Sequence, residues 1–303
     1  MAYDPFAPGP FDVVTRTIEA HDPTRERRLP GAVWSPAPPG TYPVVVYSHH
    51  GGGHERSATF LCAHLSSHGY IVAAVGHTPP TDGGRDAIIA ARVPDVRILL
   101  DLVLSRPLDG AVPDPDRVGA VGHSFGGWTV LSLPDVDDRV QALVALAPGG
   151  NRNPRPGILR APLAFEWRHE VPTLYLVAEN DVALPMDGMV ELYQRTPSAR
   201  RMVILRRADH NHFVDEIEAE HEAFRTADLP EEMAYVAREM RPYAELVPAP
   251  QAHLFTRGLA LAHFDATLRE IADAERFLDG DLEAALAERG VEVIAGTDRA
   301  PHT

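Results

Sequence analysis

The sequence predicts an α/β protein: a mostly parallel, eight-stranded sheet flanked by helices, with a helical insertion toward the C-terminus. Three observations lead there. Short β-rich runs alternate with helical patterns up to Phe213, the order expected when a helix returns each strand to the same sheet. The innermost runs, Val44-Val45-Val46-Tyr47 and Ile71-Val72-Ala73-Ala74-Val75, are apolar without alternation. A strand covered on both faces has no solvent side to keep polar. Beyond Phe213 the texture turns charged and helical.

Strands are expected at residues 12–18, 25–34, 43–48, 70–75, 117–121, 141–146, 173–178 and 201–205. Between them, residues 57–68 place Phe60, Leu61, His64 and Leu65 on one side of a helix. Residues 86–105 carry Val93, Val96, Leu99, Leu100 and Val103 at helical spacing. Pro94 within that stretch predicts a kink or a late start, since proline removes a helix hydrogen bond. Pro38-Pro39-Gly40 and Asp109-Gly110 have turn chemistry. Residues 215–223 are helical and charged, a second helix starts within 230–240, and 241–250 is a proline-interrupted connection. Residues 256–277 form one long amphipathic helix, with Leu259, Ala262, Phe264, Leu268 and Ile271 toward the sheet, and 282–289 a last one. The stretch 213–255 is longer than a simple connection needs. It fits a cap or lid, or a solvated helical hairpin, within a single domain spanning 1–303.

With 45% hydrophobic residues, the 303-residue chain can bury a substantial core. Its formal charge of −15 disfavours nucleic acid and anionic membrane surfaces as partners. No apolar run approaches the roughly 20 residues that span a bilayer. Cys62 is the single cysteine, so no intrachain disulfide can form. The N-terminal segment lacks the basic start and apolar stretch of a secretion signal. Together these lead to the expectation of a cytoplasmic protein. Oligomeric state leaves no trace in the sequence.

The chemistry concentrates in Gly122-His123-Ser124-Phe125-Gly126-Gly127, which follows the apolar run Val118-Gly119-Ala120-Val121. This is G-x-S-x-G in the setting of a nucleophile elbow: strand, sharp turn, helix. A Cβ at Gly122 or Gly126 would collide with backbone in such a turn. A serine hydroxyl needs a base to take its proton and an acid to orient that base. Later strand ends offer both. Asp181 follows 173–178, with Glu179 and Asp187 as rivals, and Asp181 is preferred for its position just past the strand. His210 and His212 follow 201–205. An oxyanion hole needs two backbone N–H donors, one from the residue after the nucleophile, Phe125, the other from the loop after the third strand. That loop is His49-His50-Gly51-Gly52-Gly53-His54, where Gly51 or Gly52 supplies the donor. The three histidines there are structural partners of the loop. No convergent set of three or four ligands suggests a metal.

The segments PVVVYSHHGGG, LSSHGYIVAAVGH, RVPDVRILLDLV, VGAVGHSFGG, LVAENDVALP and ADHNHF together cover about residues 43–213. In that order they resemble the α/β-hydrolase superfamily, and within it the dienelactone-hydrolase and platelet-activating-factor-acetylhydrolase-like serine esterases. The resemblance implies an α/β-hydrolase fold with Ser124 as nucleophile, Asp181 as acid and His210 as base. It implies no cofactor, no metal and a small-molecule ester as substrate. There are departures. Dienelactone hydrolases use a cysteine where this chain has Ser124, which favours ordinary ester hydrolysis. Relatives often have Asp-His after the fourth strand; here it is Gly76-His77. Cutinase-like polyesterases place a Trp after the proline that follows the sixth strand, whereas Pro148 here precedes Gly149-Gly150. The expected activity is serine carboxylic-ester hydrolysis through an acyl-enzyme. The same residues would serve acyl transfer or lactone chemistry, and a non-catalytic ligand-binding protein of this fold is a third reading.

Overall fold

A computed structural model describes residues 3–80, 84–150, 152 and 154–295. All eight expected strands are present: β1 (Val13–Asp22), β2 (Arg27–Pro36), β3 (Gly40–Ser48), β4 (Ile71–Val75), β5 (Ala111–His123), β6 (Val140–Leu146), β7 (Thr173–Ala178) and β8 (Arg200–Leu205). A ninth, β9 (Val293–Ala295), adds to the far edge. The sheet order is β1-β2-β4-β3-β5-β6-β7-β8-β9. From β4 to β8 every neighbouring pair is parallel, while β1–β2, β2–β4 and β8–β9 are antiparallel. β5 starts earlier than its apolar run because its first residues pair with Gly40–Pro43 before the register slips at Pro43/Val44.

The helices are α1 (Thr59–Ser67), α2 (Gly84–Leu104), α3 (Phe125–Leu131), α4 (Met186–Arg195), α5 (Ile217–Thr226), α6 (Tyr235–Glu239), α7 (Ala249–Leu268), α8 (Ala272–Asp279) and α9 (Leu282–Ala287). α2 runs through Pro94 without interruption. The carbonyl that proline leaves without a donor belongs to Ala90, which is exposed and can be hydrated instead. The expected helix 256–277 is two helices. The chain turns at Glu270, whose φ is 52°, and Ile271 N–H closes the turn on the Asp265 carbonyl at 2.9 Å. α7 begins at Ala249 instead, with Pro250 in its first turn, where a missing N–H costs nothing. Its Leu259, Ala262, Phe264 and Leu268 are buried and Ile271 is half-buried.

Residues 3–9 form a strap across α1 and α7. Tyr3 Oη donates to Asp265 at 3.0 Å, His64 Nε2 donates to the Pro5 carbonyl at 2.9 Å, and His68 Nε2 to that of Ala7 at 3.0 Å. Phe6 lies so close to Gly258 that a Cβ there would stand 2.2 Å from its ring.

The stretch 213–255 is helical, as its composition predicts, but broken: α5, a 3-10 turn at Glu231–Met233, α6 and another 3-10 turn at Tyr243–Glu245. Met233, Tyr235, Val236 and Met240 form a small core of their own, packed on Ile158, Val182, Phe224 and Leu229. Arg155 pairs with Glu239 and stacks 3.7 Å from the Tyr235 ring centroid, and Tyr235 Oη donates to the Pro156 carbonyl at 3.1 Å. Among the described residues, no helix is long and apolar enough to cross a membrane.

Candidate active site

β5 ends at the elbow. Ser124 sits at φ 57°, ψ −115°, a left-handed conformation for a residue with a side chain. The turn is held by Ser124 N–H on the Leu146 carbonyl at 2.9 Å, and by Trp128 and Gly149 N–H groups on the Ser124 carbonyl at 3.0 Å each. The glycines are sterically required. A Cβ at Gly122 would meet the Gly126 carbonyl oxygen at 2.2 Å, and one at Gly126 would meet the Ser48 oxygen at 1.9 Å.

Around this turn the structure brings together Ser124, Asp181 and His210. His210 Nε2 lies 2.8 Å from Ser124 Oγ, and its Nδ1 lies 2.7 Å from Asp181 Oδ2. With Nδ1–H donated to the carboxylate, Nε2 keeps the lone pair that can accept the serine proton. Asp181 is itself fixed, its Oδ1 accepting the Leu184 N–H at 2.7 Å. Burial disfavours the His210 imidazolium, but the charge and hydrogen bond of Asp181, with the charge of Asp209, outweigh it and raise the His210 pKa above its ordinary value.

The rivals lie elsewhere. Glu179 accepts from Arg207 N–H at 2.8 Å, and Asp187, in the first turn of α4, accepts from Gly188 N–H at 2.9 Å. His212 is fully buried; its Nδ1 is 3.1 Å from the N–H of Asp209, and burial beside His221 lowers its pKa to about 4. Asp209 receives the N–H groups of His210 (2.6 Å) and Val182 (3.1 Å) and thereby ties the histidine loop to the acid loop. Burial and the nearby Asp181 charge raise its pKa to about 6.

Gly51, Gly52, Ser124 and Phe125 line one cavity of about 560 Å³. Its other walls are mostly apolar, with Ile88, Trp128, Ile158, Leu159, Leu184 and Phe224 among them, and α5 adds Glu220. The loop glycines differ in what they do. Gly51 faces open space, Gly52 has a φ of +81°, and a Cβ at Gly53 would stand 2.8 Å from His50 Nε2. The loop histidines make local contacts. His49 Nδ1 donates to the His50 carbonyl at 2.6 Å while its Nε2 accepts from His77 N–H at 3.0 Å. Burial, aided by the Arg92 charge, lowers the His49 pKa to about 2. His50 reaches Glu220 at 3.5 Å.

Two side chains escaped the sequence reading. His123 is fully buried and donates from Nε2 to the His210 carbonyl at 2.9 Å. Arg92, on the inner face of α2, donates to the His49 carbonyl, to Ser48 Oγ at 3.3 Å and to Thr129 Oγ1 at 3.2 Å, and lies 4.6 Å from the Phe125 ring centroid. It thus touches both chain segments from which oxyanion donors are expected. The available signal was its spacing: Arg92, Val96 and Leu99 share one helix face, which puts a charge among core residues. Among the described residues, no group of three or more His, Cys, Asp or Glu could hold a metal.

A family model described as Chlorophyllase matches residues 1–154, more than half of the 303. The chain belongs to the chlorophyllase family. The matched part contains the glycine loop and the elbow, whereas Asp181 and His210 lie beyond it. The chain is 24% identical to platelet-activating factor acetylhydrolase of Cavia porcellus over 225 residues, 57% of this chain and 48% of that protein. It is 25% identical to cutinase est1 of Thermobifida alba over 191 residues, 62% of this chain and 59% of that protein. It is 26% identical to chlorophyllase type 0 of Chenopodium album over 162 residues, 50% of this chain and 47% of that protein. The alignments thus span about half to six-tenths of these relatives' lengths. Among solved structures, a ferulic acid esterase from Streptomyces cinnamoneus superposes with a TM-score of 0.71 at 23% identity, covering 95% of this chain and 98% of that one. The fold is the α/β-hydrolase fold that the motifs lead one to expect.

Proposed function

We propose that this chlorophyllase-family protein is a serine carboxylic-ester hydrolase acting on a small-molecule ester. One observation carries the reading: Ser124 Oγ, His210 and Asp181 stand in line at 2.8 and 2.7 Å. His210 Nε2 takes the Ser124 proton as Oγ attacks the acyl carbon. The negative charge then developing on the carbonyl oxygen is held by the N–H groups of Phe125 and of Gly51 or Gly52, each such donor worth roughly 10²–10³ in rate. Asp181 orients the ring and stabilises the imidazolium. The protonated Nε2 gives its proton to the departing alcohol. Water, activated by the same nitrogen, then releases the acid and restores Ser124.

The apolar walls of the cavity suit an aliphatic or aromatic acyl or alcohol group. α5 contributes Glu220, Ala223 and Phe224 to the wall, and in this reading 213–255 is the cap that closes the cavity. The names of the relatives — an acetylhydrolase, a cutinase, a chlorophyllase — support ester cleavage as the reaction class. Gly149 and Gly150 line the cavity where cutinase-like polyesterases place an aromatic ring, which favours small esters over polymer chains.

The test is direct. Wild-type protein should hydrolyse p-nitrophenyl esters and label at Ser124 with a fluorophosphonate. Ser124→Ala should lower kcat by about 10⁴ or more. Undiminished turnover in that variant would overturn the assignment.

A further inference from the structure

A second, smaller chamber of about 200 Å³ adjoins the cavity that holds Ser124. The two share Gly51, Gly52, Pro79, Ile88 and Phe125, so they meet at the glycine loop. Arg92, His77 and Asp95 also line the smaller one.

Arg92 is only 3% exposed. Its protein partners, the His49 carbonyl and the Ser48 and Thr129 hydroxyls, are all neutral. Among the described residues it has no carboxylate within ion-pair distance, unlike Arg25 and Arg27, which both bind Asp95. Asp95 has no capacity to spare: Oδ1 accepts from Arg25 and Arg27, and Oδ2 from Arg27 and His77. Arg92 reaches that carboxylate only through a relay, Nη2 to Ser48 Oγ at 3.3 Å and Ser48 Oγ to His77 Nε2 at 3.0 Å. Nη1, with two N–H bonds, has no acceptor among the described residues, and Arg92 lines the chamber. Burial lowers the Arg92 pKa to about 9, so the group is charged at neutral pH. A buried cation with neutral partners alone is unfavourable, and a bound anion would relieve it.

We propose that the chamber is a carboxylate subsite, and that the preferred substrate is a half-ester of a dicarboxylic acid. The free carboxylate accepts from Arg92 Nη1 while the ester carbonyl stands at Ser124. A chamber of about 200 Å³ accommodates a carboxylate and its adjoining methylenes, and the two N–H bonds of Nη1 suit its oxygens. On its outer side the chamber shares Thr78, Pro79, Pro80 and Ala91 with a surface groove, which gives it a path to solvent.

The proposal rests on the ester-hydrolase reading, and the experiment separates the two. Mono-p-nitrophenyl esters of adipic and suberic acid are compared with the same esters whose free acid is methylated. The expected kcat/KM ratio, charged over neutral, is about tenfold at low salt and falls as salt is added. Thr78→Glu places a second carboxylate at the exposed outer rim of the chamber and should bring the charged-over-neutral ratio to one or below. In Ser124→Ala protein, monomethyl adipate should bind measurably by calorimetry, and dimethyl adipate more weakly. A ratio of one or less in the wild type at both lengths, or equal binding of the two adipates, overturns the subsite. Absence of turnover with every ester, neutral ones included, overturns the hydrolase reading instead, and the calorimetry still decides the subsite.

Discussion

The imidazole of His123 stands 4.9 Å from that of His210, and its Nε2–H is bonded to the His210 carbonyl at 2.9 Å. The residue before the nucleophile therefore holds the backbone of the base. His123 does not line the cavity, so its part is to position His210. His123→Phe should lower kcat for a p-nitrophenyl ester by about tenfold with little change in KM, the loss of one positioning hydrogen bond of roughly 1–1.5 kcal/mol. His123→Gln retains a donor and should recover most of the rate. Steady-state kinetics on the three proteins decides the point.

The raised pKa of His210 sets the direction of the pH profile. The base must be neutral, so kcat/KM should rise with pH through an apparent pKa above the ordinary histidine value of about 6.5. Asp181 is the main group that raises it against the opposing effect of burial. In Asp181→Asn the limb should move to lower pH, because the imidazolium loses its partner, while the plateau falls by about 10⁴. A pH–rate profile of both proteins reads the two effects separately.

The glycines of the site should divide into two classes. Gly126→Ala places a Cβ 1.9 Å from the Ser48 carbonyl oxygen, and no backbone rearrangement compatible with the elbow removes that clash. It should cost about 3 kcal/mol or more in urea unfolding. Gly51→Ala adds a methyl to open space and should leave stability within about 0.5 kcal/mol. Its effect belongs in kcat, where the methyl group narrows the approach to the cavity.

The small core on 229–240 predicts local rather than global unfolding. Tyr235→Ala removes the ring beneath Arg155 and the hydrogen bond to Pro156. Limited proteolysis should then cut within 227–242 at least tenfold faster, with Tm lowered only slightly, because these residues share little with the main core. A matching loss of Tm would mean that the segment folds as one unit with the sheet.

Much of the architecture was legible because β3, β4, β6 and β7 are apolar on both faces, and such runs have few alternatives. Asp181 could be preferred over Glu179 from position alone. Other features depend on contacts far apart in sequence. β9 is three residues long and exists because β8 would otherwise end the sheet with an unpaired edge. The break at Glu270 is set by a left-handed turn, not by a glycine or proline that would announce it. His210 and His212 differ by two positions and carry the same ring; contacts remote in sequence, with Asp181 and His123, hold the first at Ser124, while the second is buried against the Asp209 backbone. Arg92 stayed hidden because arginine is expected at the surface.

The strap at residues 3–9 has a consequence for how the protein is made. Tyr3 and Asp265 are 262 positions apart, and Phe6 fills its place only when Gly258 presents its bare face. During synthesis residues 3–9 can meet α1 early, through His64 and His68, but their contacts with α7 must wait until residues 258–265 have emerged. At about 5–20 residues per second that delay is tens of seconds at most. The strap is thus a late-closing clasp, completed only once α7 is in place.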